Sequence, residues 1–246
     1  MAECSKRPAN DRLPLIFIPG ISDVIPENLV QHFTYLKTGE TGYFDYRLLR
    51  NTLRGQGIDL HIAQPDWKTT TPDTWADDMT AAAAWLAGPH EAVIVGGFSF
   101  GALLAAEVAE RLRQGEYGPP RKVGVMAVSL TCLFGEWVKE AWDLFPEDKA
   151  SLLKPGADGR PKVFPPALDM LADVELPDVI CPAQIYSGAL EAPIMHDVSK
   201  AAHATWPRSE LITIPEAGHD ITKPRDLQAI AANIGRLAAV VRGATY

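Results

Sequence analysis

The chain has 246 residues, of which 47% are hydrophobic and 22% charged, and it carries a formal net charge of −8. That length and balance predict one large globular α/β domain with a sizeable core, and they exclude a largely disordered chain. The acidic surplus argues against a general nucleic-acid binder, because neutralising phosphates requires clustered Lys and Arg; the densest basic stretch, Arg111 to Lys122, is interrupted by Glu116 and two prolines and reads as a solvated helix end and loop.

In chain order, residues 1–12 form an N-terminal tail, "MAECSKRPANDR", with charges but without the apolar stretch of a secretory signal. The apolar run "LPLIFIPG" then starts at Leu13. It is followed by a helical pattern in "YFDYRLLRNTLRGQG", the run "IDLHIAQP", a second helix in "TPDTWADDMTAAAAWLAG" and the run "EAVIVGG". A third helix, "ALLAAEVAERLRQG", leads to "KVGVMAVSL". The last runs, "VICPAQIYSG" and "ELITIPEAG", precede a C-terminal helix, "DLQAIAANIGRLAAVVRG". Runs that are continuously apolar suit strands covered on both faces, as in a parallel sheet between helix layers. Several helical patterns stop at Gly, which tolerates the positive φ of a helix end. Strand alternating with helix predicts a doubly wound, mostly parallel sheet with right-handed crossovers.

The longest apolar stretch, Ala92 to Ala106, contains three glycines and a serine and is bounded by Glu91 and Glu107, so a buried strand followed by a helix accounts for it better than a membrane span. Cys4, Cys132 and Cys181 are odd in number and lack C-x-x-C spacing, which supports neither a disulfide framework nor a zinc site. Reduced thiols in a soluble cytoplasmic protein, with no membrane partner, are the expectation. One interval breaks the rhythm: from about Thr131 to Pro177 there is no strand signal, but there are five aromatics, Phe134, Trp137, Trp142, Phe145 and Phe164. Structureless loops beyond ~12–15 residues are uncommon in compact domains, and the aromatics argue against disorder. The expected organisation is therefore a core of residues 13–130 and 178–246 with a helical lid inserted at 131–177.

The segment "GGFSFG" at 96–101 places Ser99 where a strand becomes a helix. In a parallel sheet that position lies at the carboxyl edge, where ligands bind. Glycines two residues before and after the serine let strand and helix approach closely around a strained turn. In this context the segment resembles the nucleophile elbow of the α/β-hydrolase family, and "GFSFGALLAAEVAERL" is especially similar to the corresponding region of serine esterases, lipases and type II thioesterases. The resemblance implies an α/β-hydrolase fold, with a minimal core beginning at the family's usual third strand.

A serine hydroxyl needs a base to take its proton and an acid to orient that base. The family order implies nucleophile, acid, then histidine. Of six histidines, only His219 lies just beyond the last strand candidate, in "ITIPEAGHDI"; His32, His61, His90, His196 and His203 read as ordinary surface or packed side chains. For the acid, Gly188-Ala189-Leu190-Glu191 resembles the family's Gly-x-x-Asp segment with glutamate in place of aspartate. Asp197 is the runner-up; Asp220 is badly placed to meet its own neighbour, and Glu136 would fit only a rarer arrangement. Backbone N–H groups would bind the oxyanion. Phe100 is one expected donor and Ile21, in "IFIPGISD", the other, with Ser22 in reserve.

These features imply a serine hydrolase acting on a small-molecule ester or thioester of hydrophobic character through an acyl-serine. No metal or organic cofactor is implied. The acidic charge disfavours an acyl carrier protein as partner, since such carriers tend to be acidic too. Acyl transfer and carbon–carbon bond hydrolysis use the same residues and stay open, as does a non-catalytic binding protein on the same fold. The lengthened region from Ser22 to Gly42 is a further candidate wall of the pocket.

Overall fold

The computed structural model describes residues 12–21, 46–156, 158–219, 221 and 223–243. Cys4, Ser22, His32, Asp220, residues 1–11 of the N-terminal tail and the region from Ser22 to Gly42 lie outside the described residues.

All six apolar runs are strands: β1 (Leu13–Ile18), β2 (Ile58–Ile62), β3 (Ala92–Phe98), β4 (Lys122–Val128), β5 (Ala183–Gly188) and β6 (Ser209–Ile214). They form one six-stranded sheet in the order β2-β1-β3-β4-β5-β6, and every pairing is parallel. β1 and β5 are buried at every position, while the edge strand β6 is only partly covered. That difference is why β1 reads as an unbroken apolar run and β6 as a mixed one.

Alternate residues feed two cores. Ile16, Val93, Val95, Val123 and Val125 face a layer built from α2 (Pro72–Ala87), α3 (Phe100–Gln114) and α7 (Pro193–Thr205). On the opposite side, Leu15, Phe17, Ile94 and Met126 meet α1 (Tyr46–Arg54) and α8 (Pro224–Gly243). The helix ends follow the glycine rule where the chain turns left-handed: Gly115 closes α3 at φ 87°, its N–H reaching the carbonyls of Arg111 and Leu112.

The three arginines of the basic stretch that ends α3 and follows it are tied up internally. Arg111 pairs with Glu107 and Asp77, both at 2.6 Å, and Arg113 pairs with Glu110 at 2.6 Å. Arg121 is buried and caps the carbonyl end of α2 through His90 and Gly88. Cys132 and Cys181 are free and buried. Among the described residues no helix is long and apolar enough to cross a membrane.

Between β4 and β5 the chain adds no strand to the sheet. It forms α4 (Trp137–Leu144), α5 (Pro146–Leu153) and α6 (Pro165–Met170), followed by a 3-10 turn at Leu171–Asp173. Its aromatics are shared: Phe134 is buried in the core, while Trp137, Trp142, Phe145 and Phe164 are partly covered against it. The return to the sheet is anchored by Glu110, whose Oε1 accepts the N–H groups of Ile180 at 2.8 Å and Cys181 at 3.2 Å.

Candidate active site

Ser99 occupies the single residue between β3 and α3, with φ 55° and ψ −123°. Non-glycine residues rarely adopt such a conformation, which persists only where the surroundings enforce it. The enforcing contacts are two backbone approaches that leave no room for a side chain. A Cβ at Gly97 would lie 2.0 Å from the Gly101 carbonyl oxygen, and one at Gly101 would lie 2.2 Å from that of Ile18. The second approach presses the first turn of α3 onto the end of β1, so Gly20 and Ile21 border the same cavity as Ser99. The Ser99 N–H bonds the Val128 carbonyl at 2.9 Å, fixing the turn to β4.

Phe100 opens α3, and its N–H is one of those a helix leaves without an intrahelical acceptor. Its buried ring packs edge-on against Trp75 and Trp67, with centroids 5.7 Å and 6.1 Å away. The indoles themselves meet at 4.8 Å. These three rings hold the helix start from below.

His219 follows β6 and arrives beside the elbow. Its Nε2 is 3.1 Å from Ser99 Oγ, across 120 residues of sequence, and its Nδ1 is 3.1 Å from Glu191 Oε1. The Phe98 ring lies against the imidazole at 5.2 Å. The Glu191 side chain has no exposed surface, whereas the imidazole is 32% exposed. Glu191 is brought there by a turn stitched to the histidine loop: Ala189 N–H bonds Ile214 O at 2.9 Å and Leu190 N–H bonds Ala217 O at 2.8 Å. Gly188 makes the stitch possible, since a Cβ there would sit 2.3 Å from the Gly218 carbonyl oxygen.

Oε2 of the same carboxylate accepts the Ser187 hydroxyl at 2.7 Å and the Gly188 N–H at 3.0 Å. Ser187 Oγ also lies 3.1 Å from Nδ1 of His196. This accessory group, with Ser187 buried and His196 half-buried, is absent from the sequence reading, which places His196 among ordinary histidines. Only the contact between the end of β5 and the first turn of α7 creates it, and no local motif marks that contact.

The other acid candidates lie elsewhere. Asp197 is exposed on α7 and pairs with Lys200 at 3.1 Å. Glu136 is exposed at the start of α4. Of the other described histidines, His61 faces Asp59 at 3.8 Å and His203 meets Ser209 at 2.8 Å, while the His90 carbonyl accepts from Arg121.

A cavity of about 290 Å³ opens over Ser99 and His219. Ile21 and Met195 contribute to its walls from beyond β1 and from α7, and Thr131, Leu133, Trp142 and Phe145 from the segment between β4 and β5. Cys132 also lines it, but burial pushes its thiol up to about 11, so it stays protonated near neutrality. Among the described residues, no group of three or more His, Cys, Asp or Glu side chains is arranged to hold a metal ion.

This architecture has counterparts of known structure. The RedJ thioesterase from the prodiginine biosynthetic pathway in Streptomyces coelicolor is similar at 20% identity and a TM-score of 0.54, over 91% of this chain and 89% of that one. Est1E from Butyrivibrio proteoclasticus matches at 12% identity and a TM-score of 0.60, covering 96% of this chain and 90% of the other. The fold is that of the α/β-hydrolases. Another α/β-hydrolase-fold match is the Vlm2 thioesterase domain, at 16% identity and a TM-score of 0.57, with 92% of this chain and 97% of that domain covered. No protein-family model and no curated protein matches the sequence. On the α/β-hydrolase sheet, the serine turn leaves β3 beside β1, where strand order reverses and a crevice forms.

Proposed function

We propose that the protein is a serine hydrolase that cleaves a carboxylic ester or thioester of a hydrophobic small molecule through an acyl-serine intermediate. The observation that carries this reading is the unbroken chain from Ser99 Oγ to His219 Nε2 and from His219 Nδ1 to Glu191 Oε1, each link 3.1 Å long.

In this mechanism Ser99 Oγ attacks the carbonyl carbon while its proton passes to His219 Nε2. Glu191 accepts the Nδ1–H, which selects the tautomer with a lone pair on Nε2 and stabilises the imidazolium that forms. The negative oxygen of the tetrahedral intermediate is held by the N–H groups of Phe100 and Ile21, the first at the positive end of α3. His219 then protonates the leaving alcohol or thiol. Water, deprotonated by the same nitrogen, attacks the acyl carbon and releases the acid, returning the proton to Ser99.

Three observations support the substrate class. The cavity lining includes Trp142, Phe145 and Leu152 beside the polar Asp148, Ser151 and Lys162, which favours an acyl group with an apolar portion. All of these residues come from the segment at 131–177, which in this reading is a lid over the serine. Among the similar structures, RedJ and the Vlm2 domain are named thioesterases, and Est1E has been solved with ferulic acid bound.

A fluorophosphonate probe tests the chemistry. Folded wild-type protein is expected to label at Ser99, and Ser99→Ala is expected to remove the label. A wild-type protein that does not label, or a Ser99→Ala protein that does, overturns the proposal. Turnover of p-nitrophenyl esters of increasing length, set beside acyl-CoA thioesters, distinguishes the two leaving-group classes.

A further inference from the structure

We propose that His196 is a positioning residue for Glu191, acting through the Ser187 hydroxyl, so that two imidazoles converge on one carboxylate. The inference rests on reading Ser99, His219 and Glu191 as the catalytic triad.

Proton counting fixes the direction of each bond. A serine hydroxyl has one proton, and a carboxylate only accepts. The Ser187 proton is committed to Glu191 Oε2 at 2.7 Å, so the 3.1 Å contact to His196 Nδ1 requires that nitrogen to donate. The order is therefore His196 Nδ1–H to Ser187 Oγ–H to Glu191 Oε2. Neutral imidazole protonated at Nδ1 and imidazolium both supply the donor.

Glutamate makes this support necessary. Its extra torsion lets the carboxylate swing, and any swing moves Oε1 away from His219. Two donors pin Oε2: the Gly188 N–H at 3.0 Å, fixed by the backbone, and the Ser187 hydroxyl, which is free to rotate unless something holds it. The His196 donor occupies the hydroxyl's lone pair and turns its proton toward Glu191. Ser187 itself is 2% exposed, so water does not substitute readily. His196 is set in place by the first turn of α7, where its own N–H bonds the Ala192 carbonyl at 3.4 Å.

The test compares His196→Leu, His196→Asn, Ser187→Ala and the Ser187→Ala/His196→Leu double variant, using p-nitrophenyl butyrate turnover and the rate of fluorophosphonate labelling. Leucine removes the donor, whereas the asparagine amide nitrogen restores one near the position of Nδ1. His196→Leu is expected to lower kcat about tenfold with KM changed by less than about twofold, the scale of one lost hydrogen bond. His196→Asn is expected to recover most of that loss. The double variant should be no slower than Ser187→Ala alone, because both changes break one chain. Unaltered kcat in His196→Leu, failure of asparagine to rescue, or additive losses in the double variant would each overturn the inference. If the leucine variant does not fold, Ser187→Ala carries the test: the same tenfold loss is expected, and its absence overturns the inference. Absent labelling of the wild type sinks the triad itself, whereas wild-type labelling unchanged in His196→Leu sinks only the role of His196.

Discussion

At the residue scale, glycines 97, 101, 188 and 218 look alike in sequence yet carry very different constraints. A methyl group at Gly101 would meet main-chain oxygens of Ile18 and Pro19 at 2.2 Å and 2.3 Å, atoms that cannot move without shifting β1. Gly101→Ala is expected to lose about 1–3 kcal/mol or more in urea denaturation, the scale of overpacking, together with fluorophosphonate reactivity. Gly218→Ala meets nothing within 4 Å and should stay within about 0.5 kcal/mol of wild type. Ser99, His219 and Glu191 were legible because each sits in a short segment whose local backbone has a recognisable form: an elbow, a post-strand loop and a four-residue turn. Ser187 and His196 were not, since a hydroxyl at a strand end and a ring on the next helix reveal their relation only once the two elements meet. The sequence ranks Glu191 above Asp197 on its segment alone; the fold turns the first carboxylate toward His219 and the second toward Lys200.

At the element scale, the strands could be read because burial on both faces demands unbroken apolar runs, and the longer helices because glycine or proline marks their limits. The helices between β4 and β5 gave only a collective signal. α4 and α5 have eight residues each and α6 has six, with one or two of the residues in each buried, so no amphipathic period is long enough to stand out. Glu110 shows how this segment is moored to the rest. Its buried carboxylate on α3 receives two backbone N–H groups and the Arg113 guanidinium. Glu110→Ala removes the acceptor of both amides and the partner of the partly exposed Arg113, and is expected to cost about 1–3 kcal/mol in chemical denaturation. The distances among Ser99, His219 and Glu191 do not pass through it, so labelling per folded molecule should be retained.

At the scale of the whole molecule, several weak acids are buried as neutral groups. Desolvation raises the Cys132 thiol from 9.0 to about 11 and also pushes up Cys181 and Tyr186. An acid with a raised value in the fold stabilises fully below its unfolded value and loses that contribution as pH climbs through the folded one. Conformational stability should therefore fall above about pH 9, with Cys132 alone accounting for roughly 2–3 kcal/mol by pH 11. Urea unfolding at pH 8 and pH 10.5 measures the slope, and Cys132→Ala should flatten it.

The segment over the pocket leaves the sheet after β4 and rejoins it at β5, and these strands are immediate neighbours, with Val125 opposite Ala183. Because the two strands run parallel, it starts beyond Val128 at one edge of the sheet and ends before Ala183 at the other, both anchors held by the same strand pair. Lengthening or shortening an excursion between two fixed anchors changes chain entropy only logarithmically. On the proposed hydrolase reading, exchanging that excursion is expected to rewrite selectivity, as one changes a tool head while the handle stays in the hand.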